Sequence, residues 1–240
     1  MKSIKKIIFV FIGALGAAAV ISATVILGLG HNMYRRALEA KPLAEAVESI
    51  REKDSFIDLD QLPGTYIDAV IAAEDHRFFE HGGVDILAVG RAAFNNLATL
   101  SLSEGGSTIT QQLAKNIYYT QEKSFIRKAA ELFTAFRIEA EYSKDEILEL
   151  YVNTIYFGNG FYSVREAALG YFDKEPAEMT DYECTLLAGI PNAPSVYSPA
   201  ENPDLAEERR KQVVQCMIKH GYISEEEGEE LYGSLPGHAA

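Results

Sequence analysis

Glu74, Asp75 and His81 fall within the string EDHRFFEHGG at residues 74–83. A carboxylate carried on an apolar helix face has a raised pKa, which is the property a general base needs near neutral pH. Some thirty residues on, GGSTITQQLAKN at 105–116 supplies Ser107, Thr108, Gln111, Gln112, Lys115 and Asn116. A second carboxylate, Glu131, follows Arg127 at i−4 and Lys128 at i−3. Hydroxyls and amides suit a sugar, and clustered cations suit a phosphate. The set reads as equipment for an anionic, sugar-like substrate.

These groups need elements to hold them. The spacing predicts a helix over 65–79 in which Ile67, Ile71, Glu74 and Phe78 share one stripe. The same spacing also fits a Glu74 salt-bridged to Arg77 at i+3. A helix over 123–141 presents Lys123, Arg127, Lys128 and Glu131, either as a surface ion-pair network or as a carboxylate held by cations beside a phosphate site. Gly105 and Gly106 allow a tight turn before Ser107.

Elsewhere the chain also reads as helix upon helix. Ser143 with Glu146, Ser163 with Glu166, Thr180 with Glu183 and Ser224 with Glu227 each place a capping pair before an apolar-periodic run. Asn202 and Pro203 start a further helix that Gly221 stops. The 240 residues, 48% of them hydrophobic, suffice for one packed, mainly α domain and an appendage.

The appendage is the N-terminus. MKSIKK precedes Ile7 to Gly30, whose only polar members are Ser22 and Thr24. As a helix this stretch spans roughly 36 Å, enough for a hydrocarbon core. A cleaved signal peptide is the rival reading; the length of the apolar run favours an uncleaved anchor with Lys2, Lys5 and Lys6 in the cytoplasm. The expected organisation is a basic tail at 1–6, a transmembrane anchor at 7–30, a charged connector at 31–60 and a domain at 61–235.

A net charge of −13 and a pI of 4.9 exclude nucleic acid as a natural partner. Cys184 and Cys216 fit either a disulfide or two helix thiols. Neither they nor the five histidines show metal-ligand spacing.

The string EDHRFFEHGG resembles the EDxxFxxHxG motif of the peptidoglycan glycosyltransferases (glycosyltransferase family 51), the lysozyme-like domain of class A penicillin-binding proteins and of monofunctional enzymes. GGSTITQQLAKN is similar to that family's second motif, RKAAELFTAFRIE at 127–139 to its third, KDEILELYVNTIYFGNG at 144–160 to its fourth and LLAGIPNAPSVYSP at 186–199 to its fifth. The resemblance covers about residues 63–200 and implies a lysozyme-like glycosyltransferase domain behind one transmembrane helix.

By that resemblance Glu74 is the general base that deprotonates the acceptor's 4-hydroxyl for attack on the donor's anomeric carbon, with inversion. Asp75, Phe78 and His81 shape its surroundings, while Ser107, Thr108, Gln111, Gln112, Lys115 and Asn116 line the cleft. Glu131 is the second acid, and Lys115, Arg127 and Lys128 lie near the donor diphosphate. Asn153 and Gly158 are structural. The implied substrates are lipid II and the growing glycan strand, in contact with the bilayer and with cell-wall synthesis proteins as further partners. No metal ligand or cofactor is implied beyond a divalent cation bridging diphosphate and carboxylate.

The stretch 84–102, with Ile86, Leu87, Val89, Phe94 and Leu97, reads either as a membrane-dipping lobe or as a core helix. Forty-one residues follow Pro199, too few for a transpeptidase domain, so a monofunctional enzyme of the bacterial cell membrane is expected over a part of a bifunctional protein. A peptidoglycan hydrolase and an inactive lipid II-binding scaffold are the other classes the residues admit.

Overall fold

In the computed structural model, which describes residues 2–99, 106–120 and 124–233, the capping pairs open helices where they are expected. The Ser143 hydroxyl accepts from the Glu146 N–H, and the Glu146 carboxylate accepts from the Ser143 N–H at 2.9 Å. Thr180 and Glu183 do the same, as do Ser224 and Glu227. Ser163 caps its helix too, although the Glu166 carboxylate turns to the Tyr162 N–H at 2.6 Å. Such reciprocal bonds satisfy donors that a helix start otherwise leaves open.

The helices are α1 (Lys2–Ala40), α2 (Leu43–Arg51), α3 (Gly64–Glu74), α4 (Ile86–Thr99), α5 (Ile109–Tyr118), α6 (Phe125–Glu141), α7 (Lys144–Val152), α8 (Val164–Phe172), α9 (Asp181–Gly189), α10 (Pro203–Lys219) and α11 (Glu225–Gly233). No strand occurs among the described residues, so the mainly α class is as expected. Helices α3, α9 and α10 pack on one another, while α5 packs against α6 and α7. Tyr66, Ile71, Ile109, Leu113, Leu148, Tyr151, Leu187, Val213 and Met217 fill the space between them.

The stretch 31–60 is helical over much of its length and packs on the domain. Its first ten residues continue α1 to Ala40, and Leu43, Val47, Ile50 and Ile57 enter the same core as the later helices. Within α1, Phe11–Ala40 is long and apolar enough to cross a membrane. Gly30 is buried where α1 meets α6, and a Cβ there would lie 2.5 Å from the Ala129 Cβ. One turn further along both helices, His31 and Tyr34 pack their rings against Phe133. The two helices therefore run parallel, brought into backbone proximity by a residue without a side chain.

The helix expected over 65–79 ends early, at Glu74. Asp75 takes a non-helical backbone (φ −160°, ψ 70°), and a short 3-10 turn over Phe78–Glu80 follows. The cause is tertiary. The Asp75 side chain accepts from the Ile109 N–H at 3.1 Å and pairs with His81 Nε2 at 2.8 Å, bonds a continuing helix would not permit. Close by, the Thr108 hydroxyl donates to the Gly83 carbonyl at 2.8 Å. Gly83 itself lies against α6, where a Cβ would sit 2.9 Å from the Ala135 backbone. The chain just before α4 and the chain just before α5 thus meet at one point. Lys123 and Gly105, named above, lie outside the described residues, as do the side chains of Phe94 and Leu97.

Candidate active site

Glu74 stands at the last position of α3, on the wall of a cleft of about 640 Å³. Helix α5 faces it and supplies Gln112, whose amide Nε2 donates to Glu74 Oε2 at 2.7 Å. The other carboxylate oxygen, Oε1, is buried and has no hydrogen-bond partner among the described residues. Burial pushes the Glu74 carboxyl above its usual value; the Gln112 hydrogen bond and the charges of Arg209 and Lys115 pull it partly back.

The second carboxylate belongs to α6. Glu131 is only 1% exposed and is gripped by Arg127 Nε at 2.8 Å on Oε1 and by Lys128 Nζ at 2.9 Å on Oε2. Lys128 also donates to the Ser107 hydroxyl at 2.6 Å, and Arg127 donates to the Thr120 carbonyl at 3.1 Å. Lys115 shares this end of the cleft. Burial lowers its pKa, the Glu131 charge raises it, and Arg127 and Lys128 lower it further. The ion pairs that spacing also allows on a plain surface helix here have a buried carboxylate, while Lys128 stays 43% exposed at the cleft.

The cleft brings together Glu74, Asp75, Ser107, Thr108, Gln111, Gln112, Lys115, Arg127, Lys128 and Glu131. Phe78 is a correction. Its ring is fully buried under the Lys144 ammonium, 4.3 Å from the centroid, so it builds the core instead of shaping the cleft. His81 and Asn116 are likewise absent from the wall. His81 serves from behind, through Asp75. Thr108 and Gln111 reach the cleft but spend their side chains on a capping box that starts α5.

Arg77 does not meet Glu74. Its guanidinium instead holds both oxygens of Asp85, one at 3.2 Å. Asp75, His81 and Asp85 bring three ligand atoms within 4.8 Å, but the set does not fit a dication. Asp75 is committed to His81 and the Ile109 N–H, and Asp85 to Arg77 and the Ala88 N–H. An ion there would have to displace a guanidinium.

Several wall residues escape sequence reasoning. Arg209, Lys219 and His220 arrive from α10 and its end, and Arg91 from α4. The rings of His76 and His220 stack at 3.8 Å, and burial followed by the His220 charge lowers His76 to about 4. Six lysines and arginines line the cleft against four acids, in a chain of net charge −13. Both cysteines are free thiols. Burial pushes the Cys184 thiol up to about 12, while Cys216 lies on the cleft wall.

A family model described as transglycosylase matches residues 40–218. The chain is 45% identical to penicillin-binding protein 1F of Bacillus subtilis over 80% of its own length and 27% of that protein. It is 42% identical to a Cupriavidus necator protein named "putative transglycosylase", over 76% of this chain and 79% of that one. It spans about a quarter of the larger relatives, 22% for penicillin-binding protein 1A of Neisseria flavescens. Among solved structures, penicillin-binding protein 1A of Haemophilus influenzae aligns over 75% of this chain and 17% of that one, with a TM-score of 0.46 and 25% identity. With three quarters of its length matched, from the end of the apolar helix through α10, the chain belongs to the transglycosylase family.

Proposed function

We propose that the chain is a membrane-anchored peptidoglycan glycosyltransferase that polymerises lipid II. The observation that carries this reading is the pairing, across one cleft, of a desolvated Glu74 with a Glu131–Arg127–Lys128 cluster. The first suits a base and the second suits a diphosphate. A hydrolase would need the carboxylates but has no use for so many cations beside them.

In this mechanism Glu74 takes the proton of the acceptor's 4-hydroxyl, and that oxygen bonds to the donor's anomeric carbon from the face opposite the diphosphate. The bond from the anomeric carbon to the diphosphate oxygen breaks, and configuration inverts. The electron pair leaves with undecaprenyl diphosphate, whose charge Arg127, Lys128 and Lys115 offset in a cleft where such interactions are strengthened. Glu131 keeps the cations aimed, since both of its oxygens already face them. No step is routed through a metal.

The lipid tails need the bilayer. On this reading α1 anchors the domain with its N-terminus in the cytoplasm. The apolar side chains of α4, Ile86 (80% exposed) and Leu87 (68%), together with Phe125 (81%) at the start of α6, rest in the membrane surface. The parallel packing of α1 and α6 supports this, because it brings the start of α6, next to Arg127, level with the outer part of α1.

The test is incubation of the solubilised protein with labelled lipid II, with Glu74→Gln alongside. The expected result is long, muramidase-sensitive glycan from the wild type and none from the variant. Cleavage of preformed glycan without polymerisation, or equal polymer from both proteins, overturns the proposal.

A further inference from the structure

We propose that Gln112 is the positioning residue of Glu74, and that the buried hydroxyl of Tyr151 in turn braces the far end of the Gln112 amide. This rests on the proposed role of Glu74 as the base.

Gln112 is the only hydrogen-bond partner of the Glu74 carboxylate among the described residues. Among the described residues no other group bonds that carboxylate, and Arg77, the nearest cation in sequence, is committed to Asp85. A glutamine amide has nearly the same shape either way round, and the wrong orientation would set carbonyl oxygen against carboxylate oxygen. The ionised carboxylate only accepts and so draws the amide nitrogen to itself, which leaves the amide oxygen to Tyr151. Its hydroxyl, at the fully buried end of α7, lies 3.4 Å from Gln112 Oε1 and donates to it. The amide nitrogen faces Glu74 at 2.7 Å, a short, charge-assisted contact.

Three helices thereby meet at one carboxylate, α3 bearing it, α5 orienting it and α7 bracing the amide that does so. The arrangement also tempers the base. A donor directed at the ionised form favours it, offsetting part of what burial does to Glu74. Without Gln112 the carboxyl would hold its proton at higher pH and swing more freely in the cleft.

The experiment reads Glu74 directly. Glutamate side-chain carboxyls are labelled with carbon-13 in the full chain in detergent micelles, the Glu74 signal is assigned by its loss in Glu74→Gln, and it is titrated in wild type, Gln112→Met and Tyr151→Phe. Methionine keeps the volume of Gln112 without a donor, and phenylalanine removes only the hydroxyl. The expected result is an upward shift of the Glu74 midpoint by about one pH unit in Gln112→Met and a smaller upward shift in Tyr151→Phe. With lipid II, the acidic limb of the pH–rate profile should move the same way, with kcat reduced and KM little changed. Unmoved midpoints in both variants, with helical circular dichroism and melting unchanged, overturn the proposal. Should Gln112→Met fail to fold, Tyr151→Phe and the shorter Gln112→Asn decide by the same titration. Because the titration needs no turnover, an inactive wild type with shifted midpoints would sink the polymerase reading alone.

Discussion

Arg77, three residues after Glu74, turns away from it and grips Asp85 through two nitrogens. Asp85 is 2% exposed and also receives the Ala88 N–H at 3.0 Å, so the pair fixes the start of α4 as well. Had Arg77 bridged Glu74, the carboxylate would be locked to a cation and depressed as a base.

Asp85→Asn should therefore cost about 1.5–3 kcal/mol of stability, the range for hydrogen bonds to charged groups. Burial pushes the Asp85 carboxyl up, but the hydrogen bond and charge of Arg77 outweigh it, so the folded pKa lies below the usual 3.8. A depressed carboxyl contributes stability that is present above its ordinary value and lost as pH falls through the folded one. The difference in denaturation midpoint between variant and wild type should shrink below about pH 4; a difference that stays constant with pH refutes the assignment.

Glu74 behaves in the opposite sense. Its carboxyl is raised, so the folded state binds the proton more tightly than the unfolded chain, and stability falls as pH rises through 4.5 and the folded value above it. Glu74→Gln should melt higher than wild type at neutral pH while losing polymerisation. Thermal melts at pH 7 check this, and a lower melting temperature contradicts it.

Glu131→Ala leaves Arg127 and Lys128 beside an emptied, buried position. The freed cations face the cleft, with Lys128 43% exposed, so denaturant melts should show a loss below the roughly 3–5 kcal/mol typical of breaking a fully buried pair. Lys115→Ala removes a cation without stranding a partner, so its effect should fall on handling of the donor diphosphate with the fold intact. Equal turnover of lipid II by Lys115→Ala and wild type would take Lys115 out of the site.

Phe78→Ala tests the corrected placement of that ring. Its removal from the core should cost about 3–5 kcal/mol. A cleft-lining role would instead leave stability unchanged and lower activity, so denaturant melts separate the two.

How much of this was readable beforehand depends on range. Ser143 with Glu146 and Thr180 with Glu183 are local pairs, and their helices start where the sequence places them. Thr108 and Gln111 have the same spacing and purpose, yet their position among hydroxyls and amides reads as cleft chemistry. The end of α3 at Glu74 was not legible, because Asp75 leaves the helix to meet an N–H thirty-four residues away. Arg209 and His220 reach the cleft only because α10 packs on α3 and α9. No spacing rule spans that distance.

The pinch between Gly83 and Thr108 has a bearing on how such a protein can vary. The Thr108 bond to the Gly83 carbonyl, backed by Ala135, holds both ends of this excursion to the domain, while Arg91 within it lines the cleft. Substitutions at the exposed Ile86 and Leu87 can therefore resurface α4 while Glu74 and Gln112 keep their 2.7 Å separation, whereas a change at Arg91 alters the cleft itself.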